Sequence, residues 1–424
     1  MNENDSERIA GLLTAAGAQR VDTPEESQAI IINTCAVREK SEEKLYSYLG
    51  RLQAIQTRNR AVIGVTGCIG QLYREKLLAK KPFLDFVCGP DNYQELPKIL
   101  DLSLQEKVVQ TNWTRSWKEL PARSTLHESS VSAYVTIMEG CDHFCSYCVV
   151  PFTRGREKDR PLPNILAEIQ DLAGRGYQEI QLLGQNVNSY RDPETGLPFS
   201  GLLKEIERLD GPTWLRFITS HPRSFTADIA EAMQGLKKVC RQLHLPLQSG
   251  ATSVLKRMNR GYSREDYQEL VRLLRRLMPE ICLSTDIIVG FPGETEKEFE
   301  ETLTVLREIR FASIFSFRYS PRPRTAAAGL KDDVPQEEKK KRLLEVQRLQ
   351  KELQSDLHKT YVGQVQRVLC LGKSKRDPLA YSGRNEGYQV VNFSSDQDVT
   401  GRFVDVRITA WGPFSLRGEY QAPF

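Results

Sequence analysis

Cys141, Cys145 and Cys148 fall in the run Gly140-Cys141-Asp142-His143-Phe144-Cys145-Ser146-Tyr147-Cys148. Three thiolates spaced Cys-x3-Cys-x2-Cys can close on one metal centre. On a four-iron cubane they would leave one iron without a protein ligand. Most iron–sulfur clusters take four cysteines, so an open iron is free to bind a small molecule. The alternative is a structural zinc with Cys240 or Cys282 as a distant fourth ligand. Zinc sites usually pair two Cys-x2-Cys motifs, which this stretch does not, and the iron–sulfur reading is the one taken.

Two further cysteines stand at the ends of apolar runs. Cys35 follows Ile30–Asn33, and Cys68 follows Ala61–Val65. Neighbouring parallel strands would bring both to one sheet edge, where α/β ligand sites form. A lone cysteine is more often inert packing, but two at equivalent strand ends are less easily dismissed. Cys88, after the weaker run Leu84–Val87, is read as packing, with a substitute ligand as the alternative. Cys240, Cys282 and Cys370 sit in apolar strand contexts and are read as core thiols.

The elements that must position these residues are legible from periodicity. Residues 4–17 read as an amphipathic helix, with Ile9, Leu12, Leu13 and Ala16 at helical spacing. Charged helical stretches separate the strand runs of the first hundred residues, a βα pattern with a parallel sheet. That pattern opens on a helix with no strand ahead of it, so the expectation is a first strand lying upstream of Met1. Residues 106–130 read as a linker containing Pro121. Six strand runs follow: Ala133–Ile137, Ile180–Leu183, Leu215–Ile218, Gln242–Leu245, Leu283–Ile288 and Ile314–Phe317. Without a dinucleotide glycine fingerprint they suggest a partial or full barrel, whose sites lie at the C-terminal strand ends. A charged helix covers 335–359, and its run Lys339-Lys340-Lys341-Arg342 reads as a solvated face, with tRNA contact as the alternative. From Tyr361, Val404, Val406 and Ile408 alternate with polar residues as in a half-exposed strand, so 360–424 reads as a small antiparallel β domain.

The chain has 424 residues, 40 % of them hydrophobic, and a net charge of +4. This is soluble globular composition, of a length expected to form two to four domains. No apolar run is long enough for a transmembrane helix, and Asn2–Glu7 have neither the charge nor the apolar block expected of a signal peptide. Nine cysteines without a secretion signal favour a reducing cytosol and use in metal binding or catalysis.

Cys-x3-Cys-x-aromatic-Cys resembles the signature of radical S-adenosylmethionine (SAM) enzymes. The resemblance implies a 4Fe-4S cluster on Cys141, Cys145 and Cys148, with SAM on the open iron and cleaved to a 5′-deoxyadenosyl radical. It places Tyr147 near the adenine, Gln185 and Asn186 at the SAM amino group, and Val289 and Gly290 behind the adenine. His244 would line the SAM or substrate pocket, or be a core histidine.

Asn33-Thr34-Cys35-Ala36-Val37-Arg38-Glu39, Gly67-Cys68-Ile69-Gly70-Gln71, Gly184-Gln185-Asn186-Val187-Asn188 and Thr285–Glu294 resemble the methylthiotransferase family within that superfamily. The family implies a parallel α/β domain over 1–105, a partial (β/α)6-type radical SAM barrel over 131–359 and a TRAM RNA-binding β-barrel over 360–424. It also implies a second 4Fe-4S cluster on Cys35 and Cys68 for sulfur insertion. The family's third ligand lies just before the segment that matches Met1–Glu7 and is absent from this chain. Cys148–Glu157 and Leu183–Tyr190 look most like the MiaB-type group, which makes 2-methylthio-N6-isopentenyladenosine at position 37 of tRNA. Threonylcarbamoyl-adenosine in tRNA or a ribosomal protein aspartate are the substrate alternatives, and a non-catalytic iron–sulfur RNA-binding protein is the alternative of another class. The RNA contacts expected are Arg154, Arg156, Arg367, Lys373, Lys375 and Arg376, with Tyr361, Tyr381, Tyr388 and Phe393 interleaved for base stacking. An electron donor and a sulfur source are implied, in a cytoplasmic monomer away from membranes.

Overall fold

A computed structural model describes residues 1–37, 39–119 and 125–421. Arg38 of the first motif and Pro121 of the expected linker lie outside them. The chain divides into two compact units: Met1–Glu128 with Met138–Arg160 and Ser320–Ala328, and Ser129–Ile137 with Pro161–Tyr319 and Gly329–Phe424.

In the first unit, β1 (Ala29–Thr34), β2 (Val62–Gly67), β3 (Phe86–Cys88) and β4 (Val108–Gln110) form a parallel sheet in that order. The strand β4 was not expected, because it lies within the stretch read as linker. Its three half-buried residues are too few to show a periodicity. β2 is buried along its whole length, as a central strand between covering helices must be. The helices α1 (Asn2–Ala15) and α2 (Glu39–Asn59) flank the sheet. Asn33 fixes α1 at the β1 end by donating to the Asn2 carbonyl and to the Ser6 hydroxyl, both at 2.9 Å.

The second unit holds all six expected barrel strands: β5 (Ser132–Thr136), β6 (Glu179–Leu183), β7 (Trp214–Phe217), β8 (Gln242–His244), β9 (Cys282–Val289) and β10 (Ser313–Arg318). They form two parallel three-stranded sheets, β5-β6-β7 and β8-β9-β10. Single bridges join Leu215 to Val239 and Gln248 to Ile287. Among the described residues no ladder joins β5 to β10, so the six strands make an open arc. Along β9 the set Leu283, Thr285, Ile287 and Val289 is buried, while Ser284, Asp286 and Ile288 are half-buried on the opposite face.

The long helix Gln336–Thr360 packs on β10 and β9. It corrects the reading of its basic run as wholly solvated. Lys339 is fully buried against Asp332 and Arg342 is 5 % exposed between Glu294, Glu296 and Glu338, while Lys340 and Lys341 face solvent. Residues 339 and 342 share a helix face by their spacing of three.

The C-terminal segment closes as a five-stranded barrel of β11 (Val365–Lys373), β12 (Ala380–Asn385), β13 (Val390–Ser394), β14 (Phe403–Trp411) and β15 (Leu416–Gln421), in the order β11-β12-β13-β15-β14. It is not wholly antiparallel, since β13 and β15 pair in parallel. Tyr381 and Phe393 are also not the RNA-facing aromatics expected. They stack on each other inside this barrel, 4 % and 2 % exposed.

Candidate cluster-binding and RNA-binding sites

In β1 and β2, Thr34 stands opposite Gly67. The next residues, Cys35 and Cys68, therefore leave the sheet side by side at its C-terminal edge. Gly67 sits at φ +85°, and a Cβ there would lie 2.4 Å from the Thr34 carbonyl oxygen. Only glycine takes that backbone and that approach without strain. Cys68 then opens the short helix α3 (Cys68–Tyr73). Thr34 secures that turn, because its hydroxyl donates to the Thr66 carbonyl at 2.6 Å and accepts from the Ile69 amide at 3.2 Å. Cys35 is half-buried and Cys68 buried. Cys88 differs from both: it pairs with Thr66 one position earlier, is fully buried, and burial pushes its thiol up to about 12.

The segment between β5 and the helix Leu162–Gly174 carries the other three thiols. It is pinched at its base by Met138 opposite Asp159 and Glu139 opposite Lys158. Gly140, at φ +85°, would place a Cβ 2.0 Å from the Arg156 carbonyl oxygen, and the Cys141 amide donates to the Gly155 carbonyl at 3.1 Å. Phe144, between the first two cysteines, has φ +46°. Such a conformation in a non-glycine residue needs support from its surroundings. Phe152 meets its ring edge-on at 6.4 Å and the Arg156 guanidinium lies 4.6 Å over it. The Cys148 amide donates to the Cys145 carbonyl at 2.9 Å, and the Ser146 carbonyl accepts from the Ala327 amide at 2.7 Å. Cys141, Tyr147 and Cys148 are half-buried and Cys145 is buried. Among the described residues no three His, Cys, Asp or Glu side chains converge tightly enough for one metal ion. Cluster thiolates bind different irons and need not meet at a point, and an all-thiolate donor set within one loop fits an iron–sulfur cluster.

In the second unit the expected SAM-binding residues follow the C-terminal ends of their strands. Gln185 and Asn186 follow β6; Asn186 is 1 % exposed and its amide nitrogen reaches Ser224 Oγ at 3.4 Å. His244 ends β8. Its Nδ1 lies 3.0 Å from Ser284 Oγ and its Nε2 3.4 Å from Asp286 Oδ2, so the ring is held by two residues of β9. Val289 is fully buried and ends β9. Gly290, at φ +70°, donates its amide to Glu294 Oε2 at 2.6 Å. Burial raises the Glu294 carboxyl above its ordinary value against the opposing pull of that amide and of Arg342.

The basic residues divide. Arg156 is exposed, as are Arg367, Lys373, Lys375 and Arg376 on the small barrel. Arg367 lies over Phe403 at 4.4 Å and Lys373 over Tyr381 at 3.7 Å. Arg154 leaves this group, because its guanidinium is 4 % exposed and closed by the carboxylate of Asp5. A phosphate has no access to it. On the small barrel, the sequence reading missed Trp411 and Phe414, 40 % and 65 % exposed at the β14–β15 turn. Their signal was a Trp-Gly-Pro-Phe turn between two strands.

Three family models cover this architecture: the radical SAM superfamily over residues 135–306, the uncharacterized protein family UPF0004 over 1–89 and the TRAM domain over 359–420. Among solved structures, a radical SAM methyltransferase from Kitasatospora setae with cobalamin and a 4Fe-4S cluster bound matches at TM-score 0.55 and 15 % identity, over 86 % of this chain and 77 % of that one. Fold and cysteine pattern together define a radical SAM enzyme with an N-terminal α/β domain and a TRAM barrel. The chain is 44 % identical over 422 residues to a tRNA-2-methylthio-N(6)-dimethylallyladenosine synthase from Geobacter metallireducens, covering 99 % of this chain and 96 % of that protein. It is 45 % identical to the synthase of Carboxydothermus hydrogenoformans over the same shares. It belongs to this methylthiotransferase family.

Proposed function

We propose that the protein is a transferase that adds a methylthio group to C2 of N6-isopentenyladenosine at position 37 of tRNA. The observation that carries this reading is the placement of Cys35 and Cys68 side by side beyond the Thr34–Gly67 pair, in the same compact unit as Cys141, Cys145 and Cys148. When bound, the cluster on Cys141, Cys145 and Cys148 supplies one-electron cleavage of SAM, a second SAM supplies the methyl group, and the cluster at Cys35 and Cys68 supplies sulfur. Tyr147, Gln185, Asn186, His244, Val289 and Gly290 hold SAM. The exposed Arg156, Arg367, Lys373, Lys375 and Arg376 meet the phosphates, which position RNA without reading its sequence. The enzyme works as a cytoplasmic monomer with an electron donor and a sulfur source. No helix among the described residues is long and apolar enough to cross a membrane.

Nucleoside mass spectrometry on tRNA from cells lacking the gene tests this reading. Loss of 2-methylthio-isopentenyladenosine with accumulation of isopentenyladenosine, reversed by complementation, is the expected result. Persistence of that nucleoside with loss of the threonylcarbamoyl counterpart, or of the ribosomal protein modification, would move the substrate. Absence of reductant-dependent 5′-deoxyadenosine from the purified protein would point to a non-catalytic RNA-binding role.

A further inference from the structure

Residues Met138–Arg160 leave the arc after β5 and return to it at the helix Leu162–Gly174, yet they pack within the N-terminal unit. Four ion pairs hold them there: Arg8 with Glu139 at 2.9 Å, Lys158 with Asp91 at 2.5 Å, Arg154 with Asp5, and Arg160 with Glu119. Two are deeply buried. Arg154 and Asp5 are 4 % and 0 % exposed, and Lys158 and Asp91 are 5 % and 1 %.

Apolar contacts run the same way. Val149, the residue after Cys148, belongs to the core cluster of Cys68, Ile69 and Leu72. The short helix Val150–Thr153 packs on α3, the helix that Cys68 opens. The thiol-bearing loop and the Cys35–Cys68 edge are therefore parts of one packed body.

Apolar contact alone could hold two segments together. Buried charge pairs add something else, because a slipped register leaves a desolvated charge without its partner. We propose that the Asp5–Arg154 and Asp91–Lys158 pairs are positioning devices that hold the Cys141–Cys148 loop at a fixed reach from Cys35 and Cys68, so that an activated substrate carbon meets its sulfur before the radical is quenched. This rests on the function proposed above. Neither pair touches substrate in this role.

The test uses the full chain with Arg154→Met and Lys158→Met, and with Arg154→Lys as the conservative variant. In reconstituted enzyme the readout is thiolated base formed per 5′-deoxyadenosine released. In the apoprotein it is hydrogen exchange over residues 139–158. Both Met variants should keep 5′-deoxyadenosine formation, lose coupling by up to about a hundredfold, the scale of a misplacement near one ångström, and lose amide protection at Cys141. Arg154→Lys should recover part of both.

Unchanged coupling, or a parallel fall of coupling and 5′-deoxyadenosine together with global unfolding, would overturn the proposal. If wild-type enzyme releases no 5′-deoxyadenosine, the functional reading fails by itself. Apoprotein exchange then decides the positioning role, and unchanged protection in both Met variants rejects it.

Discussion

Thr34 lies directly opposite Gly67 across two parallel strands, and each is followed at once by a cysteine. One register pair thus sets the separation of two metal-ligand candidates, and Thr34 adds hydrogen bonds to the turn that carries Cys68. Gly67→Ala should break this arrangement, because its Cβ would meet the Thr34 carbonyl oxygen at 2.4 Å on a φ of +85°. Strain of about 1–3 kcal/mol is expected. In the reconstituted enzyme, iron content should fall and methylthiolation should be lost while 5′-deoxyadenosine still forms. Full iron content with wild-type thiolation would show that the register does not govern the site.

The two cysteine groups should separate by function. Cys141→Ala, Cys145→Ala or Cys148→Ala removes one of the only three thiolates in that loop and should abolish 5′-deoxyadenosine formation. Cys35→Ala or Cys68→Ala should leave it within a few-fold of wild type and abolish thiolation. Equal loss of SAM cleavage in both sets would refute the division. Cys88→Ala should retain thiolation, since that thiol is fully buried and donates to the Gly89 carbonyl at 3.4 Å.

Arg216 welds the small barrel to the strand arc. Its guanidinium reaches Glu179 at 2.5 Å, the Glu386 carbonyl at 2.6 Å and the Asn385 carbonyl at 2.9 Å, with Trp214 and Tyr388 rings at 4.8 and 5.0 Å. Arg216→Met would strand the buried carboxylate of Glu179. Removing one partner of such a pair costs about 3–5 kcal/mol. Chemical denaturation should show a loss of that size, and a loss below about 1 kcal/mol would mean that the pair is not structural.

Trp411 and Phe414 project from the β14–β15 turn, on a barrel that also carries exposed Arg and Lys. Base stacking on such rings contributes about 1–3 kcal/mol per base. Trp411→Ala or Phe414→Ala should weaken tRNA binding by that amount with little change in salt dependence. Lys373→Ala should instead lower the salt slope by roughly 0.7–0.9 for each phosphate the side chain no longer neutralises. Equilibrium binding at two or more salt concentrations separates the two effects. Unchanged affinity in both aromatic variants would place the RNA elsewhere.

The cysteine triad was legible because its members share one short loop, and Cys35 and Cys68 because each ends an apolar run. The barrel strands were legible for a related reason: each carries an apolar run, and Glu179–Leu183 and Trp214–Phe217 are buried along their whole length. What stayed hidden was long-range pairing. Arg154 looked like an exposed loop arginine because its partner, Asp5, lies 149 residues away. Lys339 and Arg342 looked solvated in a basic run because Asp332 and Glu294 reach them from outside the helix. Tyr381 and Phe393 looked like an RNA platform because interleaving with basic residues cannot show which side of a closing barrel a ring takes.

Cys240 offers a pH test of burial. It is 1 % exposed, and desolvation pushes its thiol up to about 12 from an ordinary value near 9.0, with Arg216 pulling the other way. The unfolded thiol ionises above about pH 9, whereas the folded thiol stays protonated until about 12. Folding stability from this group is therefore complete below pH 9 and falls as pH rises through that window. Between pH 9 and 10.5 the loss should reach about 1.6 kcal/mol, at 1.36 kcal/mol per unit once ionisation is established. Urea unfolding of reduced protein should show that component in wild type and not in Cys240→Ala, once the cavity cost common to both pH values is subtracted. An equal pH slope in the two proteins would mean that the buried thiol does not carry it.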